Sequence, residues 1–118
     1  MDKKQQWHGA ADLWVRIPTL GSTARSAEGY RAKYVSVTLD EQGKVTDRKG
    51  PPTVSAERVD GSGTARGSTG GYASAEKDNG RRIRWWPTTI DFPDGGCWLV
   101  TEVLGSTTVR VLLRVPTP

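Results

Sequence analysis

The sequence predicts an all-β protein, and three observations lead to that prediction. Short runs rich in valine, threonine and aromatic residues recur between glycine- and proline-containing turns. The 118 residues include fourteen glycines and seven prolines, a high number for a helical protein. No stretch carries apolar residues at helical spacing. We expect an immunoglobulin-like β-sandwich of seven to eight short antiparallel strands, with a small β-barrel as the alternative.

The chain divides into a polar segment and a single domain. Residues 1–11 are expected to form a polar, flexible N-terminal segment, and residues 12–116 a single β-sandwich domain. The length suits one domain that buries about two-thirds of its unfolded surface. No apolar run approaches the roughly eighteen residues of a membrane span, and residues 1–6 do not resemble an export signal.

The clearest element is a C-terminal hairpin. Gly105 and Ser106 separate two strand-like runs, and a glycine at the first central position suits a two-residue turn. If Leu104 pairs with Thr107, the register of the whole hairpin follows, because side chains alternate between the two faces. The better core face then contains Trp98, Val100, Val109, Val111 and Leu113. Glu102 shares that face but lies near the turn, so we expect it at the rim of the core.

The opposite face of this hairpin mixes apolar and charged residues. Apolar side chains that stand among charges at a surface often mark a site of contact with another molecule. The sequence therefore predicts a candidate interface on this face. Its residues are Leu99, Val103, Arg110, Leu112 and Arg114.

Short strands and loops account for the rest of the chain. The small residues of 19–29 indicate a loop, and 61–71 contains no apolar residue larger than alanine, so we expect a mobile loop there. The expected strands are residues 13–17, 30–39, 53–59, 72–76, 81–86 and 88–92.

Few residues offer catalytic or metal chemistry. His8 is the only histidine and lies in the polar lead-in, so a nucleophile–histidine pair is not expected. Cys97 is the only cysteine, which excludes an internal disulfide, and we interpret it as a packing residue. We expect no enzyme activity, no metal and no cofactor.

One surface motif combines arginines with tryptophans. Arginines that lie beside aromatic rings can grip phosphates and stack on bases or sugar rings. Adjacent residues of a strand point to opposite faces, so we expect one of the two tryptophans near the surface, without a basis for choosing between them. The candidate ligand-binding residues are Arg81, Arg82, Arg84, Trp85 and Trp86.

The chain resembles a family of exported bacterial proteins, often lipoproteins, that have a small immunoglobulin-like fold and no established activity. The most specific likeness is the run FPDGGCWLVT at residues 92–101, which in the family typically reads Phe-Pro-x-x-Gly-Cys-Trp-Glu-Val-Thr. Residues 13–15 and 50–54 also match. Leu99 stands where the family usually has an acidic residue, so the resemblance implies that this position faces solvent. It also implies a location in the envelope.

These observations predict a non-enzymatic, extracytoplasmic immunoglobulin-like domain that binds a protein partner or the cell envelope. One alternative is carbohydrate or polyanion binding, including nucleic acid, through residues 81–86; the net charge of +4 is compatible with it. A further alternative is a protease inhibitor that presents residues 61–71 as a loop.

Overall fold

The computed structural model describes residues 7–16, 23–26, 29–76 and 80–116. These residues form ten β-strands and no helix, which confirms the all-β prediction. No helix in this part of the chain is long and apolar enough to cross a membrane. The strands are β1 (Trp7–Ala10), β2 (Leu13–Arg16), β3 (Thr23–Ser26), β4 (Gly29–Thr38), β5 (Thr53–Arg58), β6 (Thr64–Thr69), β7 (Ala73–Glu76), β8 (Arg82–Phe92), β9 (Gly96–Leu104) and β10 (Thr107–Val115).

The strands form one antiparallel sheet that is nearly closed into a barrel. Neighbours follow the order β1-β2-β4-β8-β6-β5-β9-β10, while β3 pairs with β4 and β7 pairs with β8 beside this path. The terminal strands β1 and β10 come side by side without a hydrogen-bonded ladder between them. Of the two architectures that the sequence favoured, the small β-barrel is therefore the one observed.

Strand β6 joins the two halves of this sheet. Its first half pairs with β5 and its second half with β8. A Cβ on Gly67 would lie 2.4 Å from Val54 Cγ1 and 3.0 Å from Ile90 Cγ1, so a glycine is needed where the two halves approach. The prediction of a mobile loop at 61–71 was wrong, because the small residues there serve close packing within a strand.

Strand β8 runs unbroken through Pro87, where the sequence indicated a gap between two strands. The Pro87 carbonyl accepts a hydrogen bond from the Gly70 amide at 2.7 Å. In an extended strand the nitrogen of a residue faces the same edge as its carbonyl, and on that edge β8 changes partner from β7 to β6. The missing proline donor therefore falls where the ladder is interrupted.

Two strands lie in segments that the sequence indicated to be irregular. Within the segment 1–11, residues 7–10 form β1 and pair with β2. Within the expected loop 19–29, residues 23–26 form β3 and pair with β4. Each is a short strand added to the edge of a better patterned one, whose free backbone groups it satisfies. Residues 1–6 lie outside the described part of the chain.

The C-terminal hairpin has the predicted register and faces. Leu104 pairs with Thr107 and Trp98 with Leu113. Gly105 has a φ of 58° and Ser106 does not have a positive φ, the combination that a type II′ turn requires. The Trp98 ring lies 5.2 Å from the Phe92 ring at the centre of the core. The largest fully buried apolar side chains are Trp98, Phe92, Leu13, Ile90, Val15, Val100 and Val115.

Candidate functional site

The outer face of β9 and β10 brings four of the five predicted interface residues close together. Leu112 pairs directly with Leu99, and Arg110 and Arg114 are the outward residues on either side of Leu112. Leu112 is 62% exposed, the largest value among the exposed large hydrophobic residues of the described chain. Val103 lies on the same face nearer the turn. The surface is therefore apolar at its centre and basic at its edge.

Strand β5 extends this surface on the far side of β9. Glu57 pairs with Leu99, and the Val59 amide donates to the Cys97 carbonyl at 2.9 Å. Val59 is 54% exposed and faces the same way as Cys97, which is half-buried. Sequence reasoning did not include Val59 in the interface, although its place at the end of the expected strand 53–59 was the available signal. We call the following set the outer patch: Val59, Cys97, Leu99 and Leu112, with Arg110 and Arg114 at its border.

The two arginines of the outer patch have no ion-pair partner in the described part of the chain. Both are exposed, and β10 itself contains no acidic residue. The observed ion pairs are Arg31–Asp91, Lys49–Asp12 and Arg58–Asp60. The charges of Arg110 and Arg114 are therefore available to a binding partner.

Among the described strands, β10 has a hydrogen-bonded ladder along one edge only. Beside its first residues stands β1, separated by an open cleft of about 400 Å³. Past Arg110, the edge formed by residues 111–115 has no ladder partner among the described residues. The cleft is lined by Trp7, His8, Gly9, Ala10, Trp14, Thr108, Val109 and Arg110.

Asp12 connects the two sides of the barrel's seam, the junction between β1 and β10, at one end of the cleft. Its carboxylate accepts hydrogen bonds from Lys49 Nζ at 2.7 Å and from Thr107 Oγ1 at 2.6 Å. These two contacts, with Lys49 first, lower the pKa of Asp12. The turn between β1 and β2 is thereby joined to the beginning of β10.

The two tryptophans of the arginine–tryptophan cluster have different environments. Trp86 is buried: its Nε1 donates to Thr38 Oγ1 at 3.0 Å, and its ring lies 4.8 Å from the Tyr72 ring. Trp85 is half-buried and points to the opposite face of β8. Trp85 is therefore the one nearer the surface.

The exposed arginines of this cluster do not all share a face with the accessible tryptophan. Arg82 and Arg84 alternate with Ile83 and so lie on the Trp86 side of the strand, whereas Arg81 lies on the Trp85 side. Arg82 Nη1 also donates to Ser74 Oγ at 2.8 Å. The structure thus divides the cluster between two faces of the β7–β8 hairpin.

A buried carboxyl group lies inside the barrel. Glu102 is 1% exposed, and its Oε2 accepts a hydrogen bond from the Tyr34 hydroxyl and lies 2.9 Å from Ser36 Oγ. Ser36 Oγ lies 2.8 Å from Thr88 Oγ1, which in turn donates to the Trp86 carbonyl at 3.1 Å. The expected rim position of Glu102 was wrong, because β4 and β8 present hydroxyl groups to it across the barrel.

Burial of Glu102 favours a neutral carboxyl, whereas its hydrogen bonds favour the charged form. The hydroxyls of Tyr34 and Ser36 both donate to Glu102 Oε2. Burial, the largest cause, raises the pKa of Glu102 to about 7 against the opposing effect of hydrogen bonds from Tyr34 and Ser36. Glu102 Oε1 is buried without a hydrogen-bond partner in the described structure, which also disfavours a charge.

The geometry of the described residues gives little support for a metal site or for protease inhibition. Within them, no three His, Cys, Asp or Glu side chains are grouped so that they could hold a metal ion. The inhibitor hypothesis depended on a loop at 61–71, and strand β6 removes that support.

Comparisons with known proteins return no match: no family model, no curated protein and no solved structure is similar to this chain. The case for a function therefore rests on the geometry of the chain and on its sequence motifs.

Proposed function

We propose that this protein is a non-enzymatic, extracytoplasmic domain that binds a protein partner or the cell envelope through the outer patch. The observation that carries the proposal is Leu112, 62% exposed and directly opposite Leu99, with an arginine on each side that has no ion-pair partner among the described residues. The extracytoplasmic location rests on the resemblance of residues 92–101 to exported bacterial proteins.

The composition of the outer patch supports a protein interface. Burial of one leucine side chain contributes about 1.5–3 kcal/mol, so the exposure of Leu112 is a cost that a partner would remove. Protein interfaces combine an apolar centre with a polar rim and are enriched in arginine. Val59 and Leu112 provide such a centre, while Glu57, Arg110 and Arg114 provide the rim.

Replacing the apolar side chain of Leu112 with a charged one tests this proposal. We expect Leu112→Glu to abolish retention of the protein by an envelope extract of its source organism, because it places a charge at the centre of the interface. The matched control is Ile83→Glu, since Ile83 is also exposed, at 38%, but lies on β8 away from the outer patch. Equal retention of the wild-type protein and both variants would contradict the proposal. Protease treatment of the extract separates a protein partner from another envelope component.

Polyanion binding is a second candidate, favoured by the exposure of Arg81, Arg82 and Arg84 at one end of the β7–β8 hairpin. We expect single-stranded nucleic acid to bind with an affinity that falls steeply with salt, and the double variant Arg82→Ser/Arg84→Ser to reduce the salt slope by about 2. The measurement is fluorescence anisotropy of a labelled oligonucleotide across a salt series. The matched control is Arg110→Ser/Arg114→Ser. If both double variants reduce the salt slope equally, the oligonucleotide is attracted to the net charge alone.

A further inference from the structure

We propose that the partner is bound as an extended acidic segment that adds a strand to the free edge of β10. The inference rests on the proposed protein-binding function and specifies the chemistry of the partner. The added segment would place acidic side chains beside Arg110 and Arg114 and an apolar side chain beside Leu112.

The backbone of β10 offers the hydrogen bonds for such an addition. In a two-residue hairpin the residues that flank the turn form a hydrogen-bonded pair, so Thr107 and every second residue after it bond to β9. The amide and carbonyl groups of the intervening residues point to the other edge. These residues are Thr108, Arg110, Leu112 and Arg114.

Among the described residues, charge is the only feature that protects the free edge of β10. Natural proteins shorten exposed edges, interrupt them with proline or a bulge, cover them, or place charged side chains on them. Arg110 and Arg114 are such charges, and they disfavour a basic strand but not an acidic one. Strand β10 has nine residues, contains neither proline nor glycine, and pairs with β9 continuously from Thr107 to Val115. Strand β1 stands opposite only its first part, across the cleft. An edge of this length, without a ladder partner among the described residues past Arg110, is a template for an additional strand.

The side chains beside this edge determine the charge of the occupant. Arg110, Leu112 and Arg114 point outward at alternate positions, so an added strand meets them with its own alternate residues. Opposite charges at such cross-strand positions are favourable and like charges are unfavourable. The net charge of +4 adds a long-range attraction for an acidic segment.

A second copy of this chain does not fit the same edge. Antiparallel pairing of β10 with another β10 would bring two arginines from each copy onto one face. Strand β10 contains no acidic residue to neutralise them. The arrangement therefore favours a different, acidic chain over self-association.

The test uses a synthetic peptide that has glutamate, leucine and glutamate at alternating positions, with valine or threonine between them. We expect the peptide to bind the intact protein and to slow hydrogen exchange at the amides of Arg110, Leu112 and Arg114. Replacing both glutamates with lysine should abolish binding. The variant Arg114→Glu should weaken binding of the acidic peptide, and a lysine at the facing peptide position should restore it. Arg66→Glu, an exposed change on β6, serves as the matched control.

Two variants at one position distinguish strand addition from docking by side chains alone. Leu112→Ala and Leu112→Pro both remove the leucine, but only proline also removes the amide that faces the free edge. We expect Leu112→Pro to bind the peptide roughly fivefold more weakly than Leu112→Ala, the effect of one hydrogen bond. The β9-side amides of Val111 and Leu113 report in the same exchange experiment whether the hairpin of each variant remains folded.

The possible results separate the two proposals. Peptide binding without protection of the three edge amides would overturn strand addition. Failure of the peptide to bind would also overturn it, while loss of envelope retention in Leu112→Glu would still support the proposed function. A concentration-dependent dimer that protects the same amides would overturn the acidic partner in favour of a second copy.

Discussion

At the scale of single residues, the unusual group is the carboxyl of Glu102. A buried carboxyl is tolerated when it is neutral or well paired, and Glu102 meets both conditions only in part. Tyr34 and Ser36 satisfy Oε2, while Oε1 has no partner in the described structure. Burial and the neighbouring carboxyl also raise the pKa of Tyr34, so its hydroxyl remains a donor. The protonation state of one side chain therefore affects the stability of the whole barrel.

The pH dependence of stability follows from the raised pKa of Glu102. The folded value of about 7 exceeds the ordinary value of 4.5, so the folded state binds the proton more tightly. Its stabilising effect is complete below about pH 4.5 and is lost as the pH rises through about 7. We expect the free energy of unfolding, measured with denaturant, to fall by roughly 2–3 kcal/mol between about pH 5 and pH 8.

The variant Glu102→Gln identifies the group responsible. Glutamine keeps the size of the side chain and cannot ionise, so the loss of stability over this pH range should disappear. Glu57→Gln is the matched control, because Glu57 is exposed on β5. Asp12, Asp40 and Asp60 have lowered pKa values and titrate below this range. If the stability of Glu102→Gln still fell over this pH range, another titratable group would be responsible.

At the scale of residues, the predictions from the sequence were correct where the alternation of side chains between the two faces of a strand determines which of them are buried. They placed Trp98 and Val100 in the core and indicated that only one of Trp85 and Trp86 would be buried. They placed Glu102 on the core face but at a rim position, since charge usually implies exposure. The compensating hydroxyls come from strands distant in sequence, and nothing in the β9–β10 pattern indicates them.

At the scale of elements, the behaviour of β6 and β10 shows why some strands were predictable. The hairpin β9–β10 is defined by its own turn and alternation, so its register followed from residues 98–113. Strands β1, β3 and β6 have weak patterns of their own and are ordered by neighbouring strands. Propensity depends strongly on such context in sheets. Composition alone therefore indicated loops where the chain forms strands.

The packing of β6 predicts a position-specific effect of adding one methyl group. In Gly67→Ala the new Cβ would lie 2.4 Å from Val54 Cγ1, so the barrel must shift to accept it. We expect a loss of about 1–3 kcal/mol in the free energy of unfolding. Gly71→Ala is the matched control, because no atom lies within 4 Å of a Cβ at that position. Equal stability of the two variants in denaturant titrations would contradict the packing role of Gly67.

At the scale of the whole molecule, the barrel is held closed by side chains at its seam. Strands β1 and β10 share no ladder, and Asp12 connects the β1–β2 turn to Thr107 and Lys49. The barrel alternative followed from strand number and turn spacing, but closure depends on contacts that pair distant residues. The sequence pattern therefore predicted the class and not the seam.

Removal of the Asp12 contacts tests their role in closure. We expect Asp12→Ala to cost about 1 kcal/mol, since it removes one hydrogen bond and one partly exposed ion pair. Amide hydrogen exchange should accelerate in β1 and leave β5 unchanged. Asp91→Asn removes the exposed pair with Arg31 on β4 and β8, so it controls for the loss of an ion pair elsewhere. Unchanged exchange in β1 would show that other contacts hold the seam.

The pairing of β4 with β8 has a consequence for how the chain reaches this structure. Five pairs of described strands, β1–β2, β3–β4, β5–β6, β7–β8 and β9–β10, are adjacent in sequence, and such pairs form in about 1–10 μs. The β4–β8 ladder instead joins Tyr30 to Phe92 and Ser36 to Trp86. Proteins dominated by such distant contacts fold on a timescale of roughly milliseconds to seconds. During synthesis β4 can pair with β2 and β3, which precede it, but its other edge must wait for β8, so the growing chain presents an unpaired edge of β4 until Phe92 has emerged.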